Sequence, residues 1–198
     1  GDTNITIIKK ASAKEKVIVI DPGHGGCMPG AVHDNVKEKD LNLDIALRLN
    51  KILKDRNVKT YLLRDDDSHI ANYERAYIAN MLGACLYLSV HNNAMTNTSY
   101  GGTMTLYYPP KKDSVFNGKK FAEIVQKKLL EKLGTQDRKI VERPNLIVLK
   151  ATAMPAVIAE IAYMTYGPDM ENLKKESFRQ AAAEALAEAT IEALTYLD

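Results

Sequence analysis

The chain contains four histidines, His24, His33, His69 and His91, and two of them directly follow short apolar runs. His24 lies in IDPGHGG, beyond Val17–Asp21, and His91 lies in SVHNNA, beyond Leu86–Val90. Neutral imidazole is the commonest transition-metal ligand, and a histidine at a strand end has the rigid mount such a ligand needs. A third donor, Glu38, stands 14 positions after His24 at the head of a helical pattern. Each residue alone has an ordinary explanation: a glycine-loop histidine, a strand-end histidine bonded to backbone, and an acid favoured by a helix N-terminus. Together they form a two-histidine, one-carboxylate set, which leaves Zn²⁺ a net positive charge and an open position. Zinc lowers the pKa of its bound water to about 7, so the set suits hydrolysis. The same donors are the facial triad of iron oxygenases, and spacing alone does not choose the metal.

A fourth acid, Glu160, sits in the apolar run PAVIAEIAY. A carboxylate there is costly unless it is paired or used. One reading is a buried ion pair, with Arg64 as the candidate partner. The other is a general base with a raised pKa beside the metal's water. The iron reading leaves this acid without a role. Asn92 and Asn93 follow His91 and could contact substrate or simply shape the loop. Arg64 and Arg75 either hold loops or bind a substrate carboxylate. His33 lies in the loop between two candidate ligands, and His69 reads as a solvated loop residue.

Alternating apolar elements must position these residues. Strands are expected at Val17–Ile20, Val58–Leu63, Leu86–Val90, Gly102–Tyr108, Leu146–Leu149 and Ala156–Ile161, from short β-branched or alternating runs bounded by turn residues. Helices are expected from Glu38 to about Leu53, and over Asn72–Met81, Val115–Leu133 and Glu176–Leu197. Such alternation predicts an α/β fold with a mostly parallel sheet, whose ligands sit outside the carboxyl ends of the strands. Residues 1–16 read as a linker or added edge strand, and 17–198 as the catalytic domain.

The 198 residues suit one domain, with 45% hydrophobic and 26% charged residues, an ordinary globular balance. A net charge of +2 without a Lys/Arg cluster does not indicate a nucleic-acid surface. No apolar stretch is long enough to span a membrane. No signal peptide is visible. Two cysteines, Cys27 and Cys85, do not make a disulfide framework. Cys85 reads as a buried thiol and Cys27 as a loop residue.

The motifs VIVIDPGHGG at 17–26, PGA at 29–31, EKDLNL at 38–43, LLRDDD at 62–67, ERAYIAN at 74–80, LYLSVHNNA at 86–94 and MPAVIAEIAY at 154–163 occur in one order. In that order the chain resembles the zinc-dependent N-acetylmuramoyl-L-alanine amidases of the type-3 amidase family. The resemblance implies one Zn²⁺ held by His24, Glu38 and His91, with Glu160 as the catalytic glutamate. It implies cleavage of the amide between N-acetylmuramic acid and L-alanine in peptidoglycan, on a twisted, mostly parallel six-stranded sheet flanked by helices. It also implies an extracellular or cell-wall location and a monomer, with room for an anchoring domain outside these residues. Asn92, Asn93 and Arg75 are the candidate substrate contacts. Met28 stands where the family usually has an aspartate. Ala162, Tyr163 and Tyr166 depart from the usual residues after the catalytic glutamate. The segments 95–103 and 109–114 are the expected groove walls, and no long insertion is evident, so an open site is expected.

Overall fold

The computed structural model describes residues 15–110 and 114–197. The reading of 1–16 as linker or edge strand therefore falls almost wholly outside the described residues. In chain order the elements are β1 (Val17–Pro22), β2 (Val32–His33), β3 (Val36–Lys37), α1 (Glu38–Asp55), β4 (Lys59–Leu62), α2 (Asn72–Met81) and β5 (Leu86–Asn93). There follow β6 (Thr103–Tyr107), α3 (Gly118–Leu133), β7 (Asp137–Glu142), α4 (Ile147–Lys150), β8 (Ala156–Tyr163), α5 (Gly167–Leu173) and α6 (Glu176–Leu194). Six strands form one sheet in the order β4-β1-β5-β8-β6-β7, and β2 and β3 make a separate small hairpin. The strands β4, β1, β5 and β8 are parallel. β6 runs antiparallel to β8 and parallel to β7.

The sheet is buried on both faces, which explains why its central strands read as continuous apolar runs. On one face Ile18, Ile20, Leu86 and Leu88 pack with Ile45 and Leu49 of α1, Phe121 and Val125 of α3, and the alanine-rich side of α6. On the other, Val19, Tyr87 and Ile158 pack with Ala79 of α2 and Val148 and Leu149 of α4. Alternation along β1 thus sends Ile18 and Ile20 one way and Val19 and Asp21 the other. The same parity puts Tyr87, Ser89 and His91 of β5 on the Asp21 face.

One expected strand is a helix. Leu146–Leu149 is apolar enough for either, and a run this short carries no decisive period. It forms the single turn α4, with Val148 and Leu149 buried. The sixth sheet position is taken instead by β7, DRKIVE, whose half-exposed, charge-bearing pattern suits an edge strand and hides it in the sequence. α3 begins at Gly118, later than its pattern suggested, because the Asn117 side chain accepts from the Lys120 N–H and caps it. β5 extends through Asn93, so His91, Asn92 and Asn93 lie within the strand.

Candidate metal centre

Glu38 is the first residue of α1, where the helix dipole favours an acid. The preceding loop is stitched to this helix start: Glu38 N–H donates to the Ala31 carbonyl at 2.8 Å and Lys39 N–H to that of Pro29 at 3.0 Å. The carboxylate is buried and bonded on both oxygens. Oε1 lies 2.9 Å from His91 Nδ1 and accepts from Asn42 Nδ2 and Asn92 N–H, both at 3.2 Å. Oε2 lies 3.0 Å from His24 Nε2 and accepts from Ala31 N–H at 2.9 Å. The two imidazoles meet edge-on with centroids 4.9 Å apart. Burial pushes the Glu38 carboxyl up, but its bonds to His24 and His91 outweigh this and hold it well below the usual carboxylate range.

These residues fit a metal. One donor atom from each of His24, Glu38 and His91 lies within 4.8 Å of the others, and a tetrahedral zinc site needs donors roughly 3.3 Å apart. The chain also leaves space for them. A Cβ at Gly23 would stand 2.2 Å from His91 Nε2, and one at Gly30 would stand 2.4 Å from Glu38 Oε2. Gly30 additionally takes φ +69°, a conformation other residues rarely adopt. His24 itself sits at φ 63°, an unusual and costly backbone state for a non-glycine residue that turns it from the end of β1 toward Glu38.

Glu160 is the register partner of His91 across β5 and β8. Among the described residues its Oε2 is buried and has no hydrogen-bond partner. Burial pushes its pKa up to about 7; the nearby His91 and Arg143 oppose this and the Glu38 charge adds to it. Burial works against a charged His91, yet its bond to Glu38 and the charges of Glu160, Glu38 and Asp21 lift its pKa.

The ion pair considered between Glu160 and Arg64 does not form. Arg64 donates instead to the carbonyls of Pro22, Gly23, Lys39 and Asp66. Arg75 is 2% exposed and is committed to Asp21 and to the carbonyls of Pro22, His24 and Ile70. Its geometry is that of a loop clamp, not of a free substrate contact. Asn92 is buried and donates from Nδ2 to Asn42 Oδ1 at 3.0 Å. Asn93 is half-buried, and its Oδ1 accepts from Ala94 N–H. Cys27 is exposed, Cys85 half-buried, and both are free thiols.

Two residues escaped sequence reasoning. Asn42 binds Glu38, the Gly23 carbonyl and Asn92 at once. Its signal was available: it follows Glu38 by one helical turn in EKDLNL, the spacing at which side chains meet. Asp21 accepts from Arg75, Tyr87 Oη and Ser89 Oγ, and as an acid closing an apolar run it resembled Glu160 in pattern. The cavity walls also differ from expectation. A cavity of about 530 Å³ beside the candidate ligands His24 and His91 is bounded by Met28, His69–Asn72 and Leu146–Val148. Of the expected wall 109–114, Pro109 and Pro110 lie instead at the opposite end of the sheet, because Tyr107 pairs with Val157 at the start of β8, and 111–113 fall outside the described residues. His69, expected to be merely solvated, lines the cavity.

The fold and this group define a class: an α/β domain with a mostly parallel sheet and a His–Glu–His candidate metal centre at the carboxyl end of its parallel strands β1 and β5. Residues 18–192 match the family described as N-acetylmuramoyl-L-alanine amidase, and the chain belongs to that family. It is 37% identical over 179 residues to the N-acetylmuramoyl-L-alanine amidase LytC of Bacillus subtilis, covering 89% of this chain but only 35% of that protein's length. Its fold is similar to the catalytic domain of CwlV, an N-acetylmuramoyl-L-alanine amidase from Bacillus (Paenibacillus) polymyxa var. colistinus, with TM-score 0.84, 33% identity and coverage of 91% and 98% of the two chains. An N-acetylmuramoyl-L-alanine amidase from Clostridium difficile 630 gives TM-score 0.85 at 32% identity, covering 92% and 98%.

Proposed function

We propose that the chain hydrolyses the amide between the lactyl carbonyl of N-acetylmuramic acid and the amine of L-alanine in peptidoglycan. One Zn²⁺ is held by His24, Glu38 and His91, and Glu160 is the general base. The observation that carries this reading is the pairing of a three-donor group with a neighbouring carboxylate that has one buried, unbonded oxygen. Family membership supports the bond cleaved.

Zinc, when bound there, supplies Lewis acidity: it polarises an amide carbonyl and makes water acidic enough to attack near neutral pH. Everything else falls to the chain. Glu38 fixes both imidazoles, while Asn42 and the Ala31 and Asn92 N–H groups fix Glu38, the kind of outer support that sets ligand geometry. Glu160 accepts the proton of the attacking water through its free oxygen and delivers it to the leaving nitrogen. The C–N bond breaks and a C–O bond forms; the second proton of the water passes from the new carboxyl group to the amine, so the products are a lactyl carboxylate and a protonated L-alanine amine. A base with a pKa near the working pH suits both halves of this transfer.

The test is digestion of purified peptidoglycan with and without a chelator, followed by identification of the new ends. Stem peptides with a free L-alanine amine, lost on chelation and restored by zinc, are expected. Binding without cleavage, or new ends elsewhere in the polymer, overturns the proposal. The family's association with the wall supports a location outside the cell or in the wall, which fractionation of the native host checks.

A further inference from the structure

The cavity beside the ligands is continuous with the start of α2, since Asn72 and Arg75 belong to both. From that point the outer face of the helix carries Tyr73, Tyr77 and Met81, exposed 66%, 64% and 70%. Their i, i+4, i+8 spacing lines them up in one stripe about 12 Å long. The opposite face is accounted for by buried Arg75, Ala76 and Ala79. Single exposed apolar side chains need no explanation, but an aligned set that starts one residue from the cavity lining at Asn72 is a candidate binding surface.

Chemistry selects the occupant. Arg75, the arginine in the cavity wall, is already tied to Asp21. Glu74, beside Tyr73, bonds the Ala71 N–H and adds negative charge to the same helical turn. This side of the site therefore disfavours the carboxylates of a stem peptide. A pyranose ring is neutral, with an apolar C–H face and a rim of hydroxyls. A tyrosine offers the matching flat apolar face and a polar tip. A second copy of the chain is a poor fit, because three side chains present about 400 Å², well short of the ~800 Å² per partner of a stable interface.

We propose that the glycan strand of the substrate runs out of the site along α2, with sugar rings stacked on Tyr73 and Tyr77. This rests on the peptidoglycan reading above. The probe is a neutral, peptide-free tetrasaccharide of β-1,4-linked N-acetylglucosamine, titrated calorimetrically into the intact protein. The Tyr73→Ala/Tyr77→Ala variant is expected to bind it about tenfold more weakly, and the Tyr73→Phe/Tyr77→Phe variant to retain most of the affinity. The ratio of kcat/KM on long strands to kcat/KM on a single muramoyl-peptide unit should fall by a similar factor in the alanine variant, through KM. Unchanged tetrasaccharide affinity, equal losses on both substrates, or a wild-type dimer that the alanine substitutions dissociate would each overturn the proposal. Wild-type protein that binds the tetrasaccharide but frees no L-alanine amine refutes the amidase reading and leaves this surface standing. Cleavage and strand preference indifferent to the tyrosines refute the surface alone.

Discussion

Glu38 is a buried carboxylate at a helix start that meets His91, and Glu160 is a half-buried one with a buried oxygen, set beside His91 by strand register. Glu38 has a partner for every direction: two imidazoles, the Asn42 amide and the backbone N–H groups of Ala31 and Asn92. Glu160 keeps a buried oxygen with no partner among the described residues. The first is held well below the usual carboxylate range and the second is raised to about 7. Surroundings that drive two pKa values apart suit one acid to stay an anion and the other to exchange a proton, the roles the proposed function gives them. Hydrogen bonding, not burial, makes the difference, since burial pushes both upward.

The strongest way to break this comparison is Glu38→Ala. Activity should fall to background and zinc content, measured by elemental analysis, should fall with it, because both histidines lose their shared anchor. A variant that keeps full zinc would show that Glu38 is a scaffold and not a ligand. Next comes Glu160→Gln, which should retain zinc and lose about 10²- to 10⁴-fold in kcat, the usual size of a general acid–base contribution. Full activity would assign the base elsewhere. Asn42→Ala sharpens the contrast from the other side. Removing one support of Glu38 should weaken zinc affinity roughly 10- to 100-fold, as loss of such partners does. Competition with a fluorescent chelator reads this directly.

The smallest effect concerns stability of the chelator-treated protein. Glu160 is raised from 4.5 to about 7, so between those pH values the folded chain holds a proton that the unfolded chain has released. Stability from this group is present below pH ~4.5 and lost as pH rises toward 7. Glu38 works in reverse: its depressed pKa contributes stability above the normal carboxylate value, lost as pH falls through its folded pKa. Glu160→Gln should therefore flatten the decline between pH 5 and 7 and raise the melting temperature of the metal-free protein by a few degrees at pH 8. An unchanged pH profile would mean Glu160 is solvated in the metal-free state.

Much of the fold was legible from residue pattern. Val17–Ile20, Leu86–Val90 and Ala156–Ile161 read as buried strands because both faces of the sheet are covered, and Asn72–Met81 reads as the helix it forms. β7 escaped because an edge strand carries charges on a half-exposed face, and Leu146–Leu149 misled because four apolar residues have no period to measure. The cavity wall was misplaced for a related reason: it depends on which loops the reversed strand β6 carries to each end, which residue order does not state.

By itself the sequence determined the chemical inventory: two strand-end histidines, a helix-start glutamate, a strand glutamate and the ordered motifs that place the chain in its family. Only the tertiary structure decided how differently the two acids are held. Oxygens of Glu38 meet His24 and His91 because the left-handed turn at His24 folds the end of β1 over the head of α1, and because Gly23 and Gly30 leave room. Glu160 stays unbonded because β8 lies beside β5 in the register that sets it against His91, away from Arg64. Distances across a sheet arise from strand order, and strand order is a property of the whole packed core.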